Sequence, residues 1–157
     1  LTTKGYRKVV LIPLAFCLGF FLYYLYTDFM GGKVEKTVYD DGTVRIYAQS
    51  DLGSCKLPKI LDALNIPIHD KLKIRNYDVY LDKDKNINSV EIYCLTDKDG
   101  DEIIEWYKEK LNSSSEAKGM WNGFEMNVSY NKFSNLVSIV LKKQWFEVTW
   151  KSIFLVL

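Results

Sequence analysis

The hydrophobic pattern divides the chain into one continuous apolar run and a longer region in which apolar and polar positions alternate. The run extends from Val9 to Tyr26 and contains no charged residue. As an α-helix with a rise of 1.5 Å per residue, it would be about 27 Å long, close to the ~30 Å hydrocarbon core of a bilayer. The pattern therefore predicts a single transmembrane helix over residues 9–26.

We expect the apolar side chains of this run to face lipid and its tyrosines to lie in the headgroup layer, where amphipathic rings are enriched. The predicted anchor residues are Val9, Leu11, Ile12, Leu14, Phe16, Leu18, Phe20, Phe21, Leu22 and Leu25, and the predicted interface belt is Tyr23, Tyr24 and Tyr26.

The charges on either side of the run predict its orientation. Three basic residues, Lys4, Arg7 and Lys8, precede it. The first charge after it is Asp28. By the positive-inside rule the amino terminus is then cytoplasmic and the region after the run is extracytoplasmic. The predicted organisation is a cytoplasmic segment 1–8, the helix 9–26, a juxtamembrane linker 27–36 and an extracytoplasmic domain 37–157.

Three other interpretations of the run are open. A cleaved signal peptide needs a small-x-small site, and the exit of this run offers only a poor one. A lipoprotein signal ending at Cys17 would need a small residue where Phe16 stands. A buried helix of a globular protein is the third interpretation, but an uninterrupted run of this length with basic flanks is typical of an anchor.

The region after the run predicts an α+β domain. Short alternating segments joined by polar turns indicate antiparallel strands with one buried face, and two segments with helical spacing lie between them. We expect a twisted antiparallel sheet with one main helix packed on one face. The predicted elements are a hairpin over 37–48 turning at Asp41-Gly42, a short amphipathic helix 57–64, a hairpin of strands 74–82 and 90–96, a helix 100–112 capped by Asp99, and strands 124–130, 137–141 and 146–150.

Composition adds few functional signals. The chain of 157 residues is 48% hydrophobic and 26% charged, as in ordinary globular domains, and its net charge of +1 gives no sign of a nucleic-acid-binding surface. His69 is the only histidine, so a histidine-based metal cluster is excluded, and we expect no cofactor.

Two cysteines lie in the predicted extracytoplasmic domain, where oxidation is permitted. Cys55 and Cys94 could therefore form a disulfide that joins the short helix region to the second hairpin. The alternative is that Cys94 is a free thiol buried on the inward face of its strand.

Aromatic residues make up 15% of the chain, more than a small core requires. An exposed aromatic surface could bind a glycan or another envelope protein by stacking and burial. The alternative is that these rings form cross-strand pairs that only stabilise the sheet. The predicted partner surface consists of Tyr80, Tyr93, Trp121 and Trp145.

The order of these elements resembles that of uncharacterised bacterial envelope domains that are membrane-anchored or lipoprotein-like. The resemblance covers residues 66–150 and depends on three unspecific features. They are a lead-in, Ile66-Pro67-Ile68, a helix end, Tyr107-Lys108-Glu109-Lys110-Leu111, and a following Trp121. It implies the α+β architecture and no particular chemistry.

Taken together, the sequence predicts a single-pass membrane protein of the cell envelope with a non-catalytic interaction or sensing domain. One alternative is an envelope hydrolase that uses His69 with Asp70, or a carboxylate pair such as Asp99 and Asp101. Another alternative is a structural subunit of a membrane complex. No catalytic motif is recognisable, so we do not expect an enzyme.

Overall fold

The computed structural model describes residues 3–29, 33–97 and 99–144, with the side chains of the first range given from Pro13 to Tyr26. The elements in chain order are α1 (Thr3–Phe29), β1 (Lys33–Val38), β2 (Val44–Gln49), a 3₁₀ helix (Lys59–Leu64), β3 (Leu72–Leu81), β4 (Ile87–Thr96), α2 (Gly100–Lys110), β5 (Lys118–Trp121), β6 (Phe124–Asn131) and β7 (Leu136–Lys143). Trp145 and the predicted strand 146–150 lie outside the described residues.

The seven strands described form one antiparallel sheet in the order β1-β2-β3-β4-β7-β6-β5. The first four strands form a meander of neighbouring hairpins. After β4, α2 carries the chain to the far edge, so β7 returns to pair with β4. The α+β prediction of an antiparallel sheet with a packed helix is confirmed.

The core lies on one face of this sheet, where every second residue of the central strands is buried. This alternation confirms the prediction of antiparallel strands with one buried face. The fully buried positions of these strands include Tyr77, Val79, Val90, Ile92, Cys94, Met126, Val137, Ile139 and Leu141.

The main helix, α2, covers this face and packs against β6. Asp99 is its N-cap, and the carboxylate accepts a hydrogen bond of 3.0 Å from the Asp101 N–H, as the sequence predicts. Ile103 and Tyr107 are fully buried. The Tyr107 hydroxyl donates to the Pro67 carbonyl at 2.8 Å and so ties the helix to the segment before β3.

The predicted amphipathic helix 57–64 is corrected to a six-residue 3₁₀ helix. Residues at i and i+3 eclipse each other in a 3₁₀ helix, which places Leu61 and Leu64 together in the core and leaves Ile60 37% exposed. Asn65 ends the helix in the left-handed conformation, with φ of 44°.

Strand β5 was not predicted from the sequence. Its hairpin with β6 turns at Asn122-Gly123, whose φ angles of 46° and 83° are those of a type I′ turn. This Asn-Gly pair is the sequence signal for the hairpin. Within the strand, a Cβ on Gly119 would lie 3.0 Å from the Leu111 carbonyl oxygen, so this position has little room for any side chain.

The boundary between the first helix and the sheet also differs from the prediction. Helix α1 continues to Phe29 and β1 begins at Lys33, so the last four residues of the predicted linker 27–36 are strand. Pairing with β2 accounts for this, because Lys33 and Val34 are in register with Gln49 and Ala48.

Helix α1 contains 27 residues and includes Pro13. Within the described residues, no helix combines the length and the mean hydropathy that a membrane span requires.

Candidate functional site

The face of the sheet opposite the core carries a cluster of aromatic and charged side chains on β2, β3 and β4. These positions alternate with buried ones along each strand, and every member is only partly buried. We call this cluster the tyrosine face. Its members are Arg45 and Tyr47 on β2, Asp78 and Tyr80 on β3, and Glu91 and Tyr93 on β4.

An ion pair lies at the centre of the tyrosine face. Arg45 Nε and Nη2 each donate a hydrogen bond of 2.6 Å to a different oxygen of Asp78. This two-bond geometry fixes the guanidinium plane. The Asp78 side chain is 14% exposed and that of Arg45 is 37% exposed. The hydrogen bond to Asp78 raises the pKa of Arg45, so the guanidinium is charged at neutral pH.

Two tyrosine rings flank the guanidinium. The Arg45 guanidinium carbon lies 5.2 Å from the ring centre of Tyr47 and 5.8 Å from that of Tyr80. The register explains this arrangement, because Arg45 is directly opposite Tyr80 and Tyr47 is directly opposite Asp78. Cation–π attraction therefore holds both rings against the ion pair.

Tyr93 extends the cluster towards β7. Its hydroxyl donates a hydrogen bond of 3.1 Å to Glu91 on the same strand. Burial raises the pKa of Tyr93 and that of Tyr80, so both phenols keep their protons at neutral pH. The face thus offers flat neutral rings beside fixed charges, a combination that suits stacking and hydrogen bonding to a partner.

Of the predicted partner residues, the structure brings Tyr80 and Tyr93 together on this face and places Trp121 elsewhere. Trp121 packs against the hydrophobic core, and its Nε1–H donates to the Leu64 carbonyl at 3.0 Å. It fastens β5 to the 3₁₀ helix, and its role in a partner surface stays a prediction. Sequence reasoning missed Arg45 and Asp78, although their outward parity in β2 and β3 was a readable signal.

The structure does not join Cys55 and Cys94 by a disulfide, and both side chains are buried. The Cys55 N–H donates to the Ile74 carbonyl from one side of β3, whereas Cys94 is in register with Ile74 on the other side. Two strand spacings separate the cysteines, about 9–10 Å. A disulfide requires Cα atoms within about 7 Å.

The residues proposed for the alternative hydrolase, His69, Asp70, Asp99 and Asp101, make contacts within the fold. The ring centre of His69 lies 4.9 Å from that of Trp106 in an edge-to-face contact, and His69 Nδ1 lies 2.9 Å from Asp70 and 3.1 Å from the Lys71 N–H. Asp99 caps α2. Asp101 forms an ion pair of 2.6 Å with Lys132. In the part of the chain that the structure describes, no three His, Cys, Asp or Glu residues are grouped to hold a metal ion.

The anchor residues predicted from the sequence lie on α1. The side chains of Val9, Leu11 and Ile12 are outside the described residues. Leu25 is partly buried, and all the other predicted anchor and belt side chains are exposed. The large exposed side chains are Leu14, Phe16, Leu18, Phe20, Phe21, Leu22, Tyr23, Tyr24 and Tyr26, with exposed fractions between 49% and 72%.

In comparisons with protein-family models, curated protein sequences and solved structures, nothing matches this chain. The resemblance to envelope domains therefore stays a prediction, and the function must be argued from the residues themselves.

Proposed function

We propose that the protein is a single-pass membrane protein whose α+β domain lies outside the cytoplasm and binds a partner through the tyrosine face. The proposal assigns no catalytic step to the domain. It has two parts, the membrane anchor and the binding surface, and each has its own experiment.

The exposure of the apolar side chains of α1 carries the first part. Phe16 is 66% exposed and Phe20 is 72% exposed, and their neighbours along the helix are similar. A folded chain exposes apolar side chains singly, but a continuous apolar helix surface marks an interaction with lipid or protein. Lipid is the occupant we propose, because the apolar run Val9–Tyr26 of the sequence contains 18 residues without a charge. Three basic residues precede this run, and the first charge after it is Asp28.

The second part of the proposal, the binding surface, depends on the residue types of the tyrosine face. A sheet face turned to water commonly carries scattered polar residues, whereas this one concentrates three tyrosines around a fixed ion pair. Tyrosine and arginine are the residue types that dominate binding energy at protein interfaces. Tyrosine rings beside carboxylates also suit a glycan, which stacks on rings and donates its hydroxyl groups.

The anchor is tested by fractionating cells that express the full chain with a carboxyl-terminal tag. We expect the chain to stay in the membrane pellet after alkaline carbonate extraction, and protease added to spheroplasts to degrade the tagged domain. Replacing Leu18 and Phe20 together by Lys should release the chain, because each Lys at the centre of a span costs roughly 2.5–3.5 kcal/mol on insertion scales.

The matched control is Val38→Lys, which changes a residue of β1 with a similar exposure of 62%. This variant should stay in the membrane. Recovery of the unmodified chain in the carbonate supernatant, or a tagged domain protected from protease in spheroplasts, would contradict the first part of the proposal.

The binding surface is tested by placing a photo-crosslinking phenylalanine analogue at position 80 or 93 of the full chain. We expect a discrete crosslinked product from both positions and none from position 105, which is exposed on α2. The double substitution of Tyr80 and Tyr93 by Ala should weaken binding of the captured partner about tenfold or more, because buried aromatic anchors contribute at least 1–2 kcal/mol each. Equal labelling from positions 80, 93 and 105, or unchanged binding by the double variant, would refute this surface.

A further inference from the structure

The carboxyl-terminal turns of α1 contact a loop of the domain. The Tyr24 hydroxyl donates a hydrogen bond of 2.7 Å to the Asp51 carboxylate, which follows β2. That bond and one from Gln49 lower the pKa of Asp51, so the carboxylate stays charged at neutral pH. Leu52, the next residue, is 58% exposed.

Leu52 lies at the level of the last apolar turns of α1. A depression of about 570 Å³ is lined by Leu22, Leu25 and Tyr26 of the helix and by Leu52 and Ser54 of the loop. If Tyr24 and Tyr26 are in the headgroup layer, as the proposed anchor requires, the exposed Leu52 side chain is in the same layer.

The strand register shows which other parts of the domain share this end of the sheet. Strand β1 begins here, because Lys33 is opposite Gln49. The same end holds the turn between β6 and β7, since Leu136 is opposite Leu95 and the Thr96 N–H donates to the Asn135 carbonyl at 3.2 Å. The turn at Asp82–Asn86 between β3 and β4 lies at the opposite end.

The turn between β6 and β7 presents Phe133 to solvent. The side chain is fully exposed, with a relative exposure of 103%. The Asn131 side-chain oxygen accepts hydrogen bonds from the N–H groups of Phe133 and Ser134, at 2.9 and 3.3 Å, and Asn135 closes the turn with φ of 50°. These contacts fix the backbone of the turn, so the ring is held out at its tip.

We propose that Leu52 and Phe133 insert into the headgroup layer of the bilayer and give the domain a second attachment beside the anchor helix. The inference depends on the proposed membrane anchor. Phe133 lies in the turn between β6 and β7, towards the edge of the sheet opposite β1. Contact of both Leu52 and Phe133 with the bilayer therefore holds the sheet in one orientation. The tyrosine face is thereby kept at a fixed angle to the membrane. Apolar and aromatic side chains at the tips of loops are suited to this boundary, where one end of the residue meets acyl chains and its backbone stays wet.

The test uses the full chain in vesicles of phosphatidylcholine and phosphatidylglycerol. Cys17→Ala removes the exposed thiol, and Cys55 and Cys94 are buried. On this background Leu52→Cys, Phe133→Cys and the control Asp84→Cys are each labelled with a fluorophore sensitive to polarity. Asp84 is exposed at the opposite end of the sheet.

We expect lipids carrying a quencher near the headgroup to reduce emission from positions 52 and 133 several-fold more than from position 84. Aqueous iodide should quench in the reverse order. Equal iodide quenching at positions 133 and 84 would overturn the second attachment. Protection of position 133 from both quenchers would also overturn it, because the occupant would then be protein and not lipid.

Failure of the anchor itself is recognised separately in the same preparation. If the labelled chains do not float with the vesicles in a density gradient, the proposed membrane anchor is wrong and the second attachment fails with it. If they float and the label at position 133 behaves like the control, only the second attachment is wrong. A double substitution of Leu52 and Phe133 by Ser should leave flotation unchanged, since α1 supplies the span.

Discussion

The domain is expected to lose on the order of 4 kcal/mol of stability as the pH rises from 9 to 12, through the ionisation of Cys94. This thiol is fully buried beside Ile74 in the centre of the sheet, and burial raises its pKa to about 12. Above pH 9 the thiol of the unfolded chain releases its proton while that of the folded chain keeps it. The unfolded state then binds fewer protons, so the free energy of unfolding falls with rising pH.

The measurement is urea denaturation of the full chain in mild detergent at a series of pH values between 8 and 12, followed by circular dichroism. Cys94→Ala should flatten the dependence on pH. The control Val90→Ala removes buried methyl groups from the same face and should lower stability without altering the slope. Burial also raises the pKa of Tyr107, so Tyr107→Phe should remove a further part of the slope. Identical slopes for Cys94→Ala and Val90→Ala would contradict this explanation.

Ile139→Ala is expected to lower the free energy of unfolding by about 2–5 kcal/mol. Ile139 is fully buried in β7 and is in register with Ile92 on one side and Val128 on the other. Truncation removes three methyl or methylene groups from a position that three strands enclose, so the cavity can close only by moving the sheet backbone.

The control for this prediction is Val140→Ala, one residue further along the same strand. Val140 is on the opposite face, where it lines a shallow depression with Glu125, Asn127 and Lys142. Its substitution should cost less than about 1 kcal/mol, because the lost side chain is partly hydrated and no closed cavity forms. If both variants shifted the urea midpoint equally, the assignment of the core to one face would be wrong.

The proposed function gives the two faces of the sheet different roles, stability for the core face and binding for the tyrosine face. The core face takes the large aliphatic side chains and the helix, and its substitution should affect stability. The tyrosine face has a fixed ion pair and three rings that the fold does not need to bury completely. Substitutions there should affect binding first. Comparing urea midpoints with crosslinking yields for the same variants separates these effects.

Only part of the candidate site could be predicted from the sequence. Alternation placed Tyr80 and Tyr93 on the outward face of their strands, and the structure agrees. Trp121 was expected on the partner surface as one of the aromatic residues in excess of a small core, whereas its indole packs on the core. The pairing of Arg45 with Asp78 joins residues 33 positions apart, so it depends on which strands are neighbours.

The sequence by itself determined the local features of this protein. A period of two residues decides which side chains of a strand share a face, and Asp99 before a helical pattern decides where α2 begins, because both depend on a few neighbouring residues. The tertiary structure alone decided that β7 enters between β4 and β6, that the cysteines are separated by a strand, and that Leu52 and Phe133 share one end of the sheet. These features arise from pairing between segments that are distant in the sequence. The free energy of that pairing comes from burying one common core, so no single segment determines it.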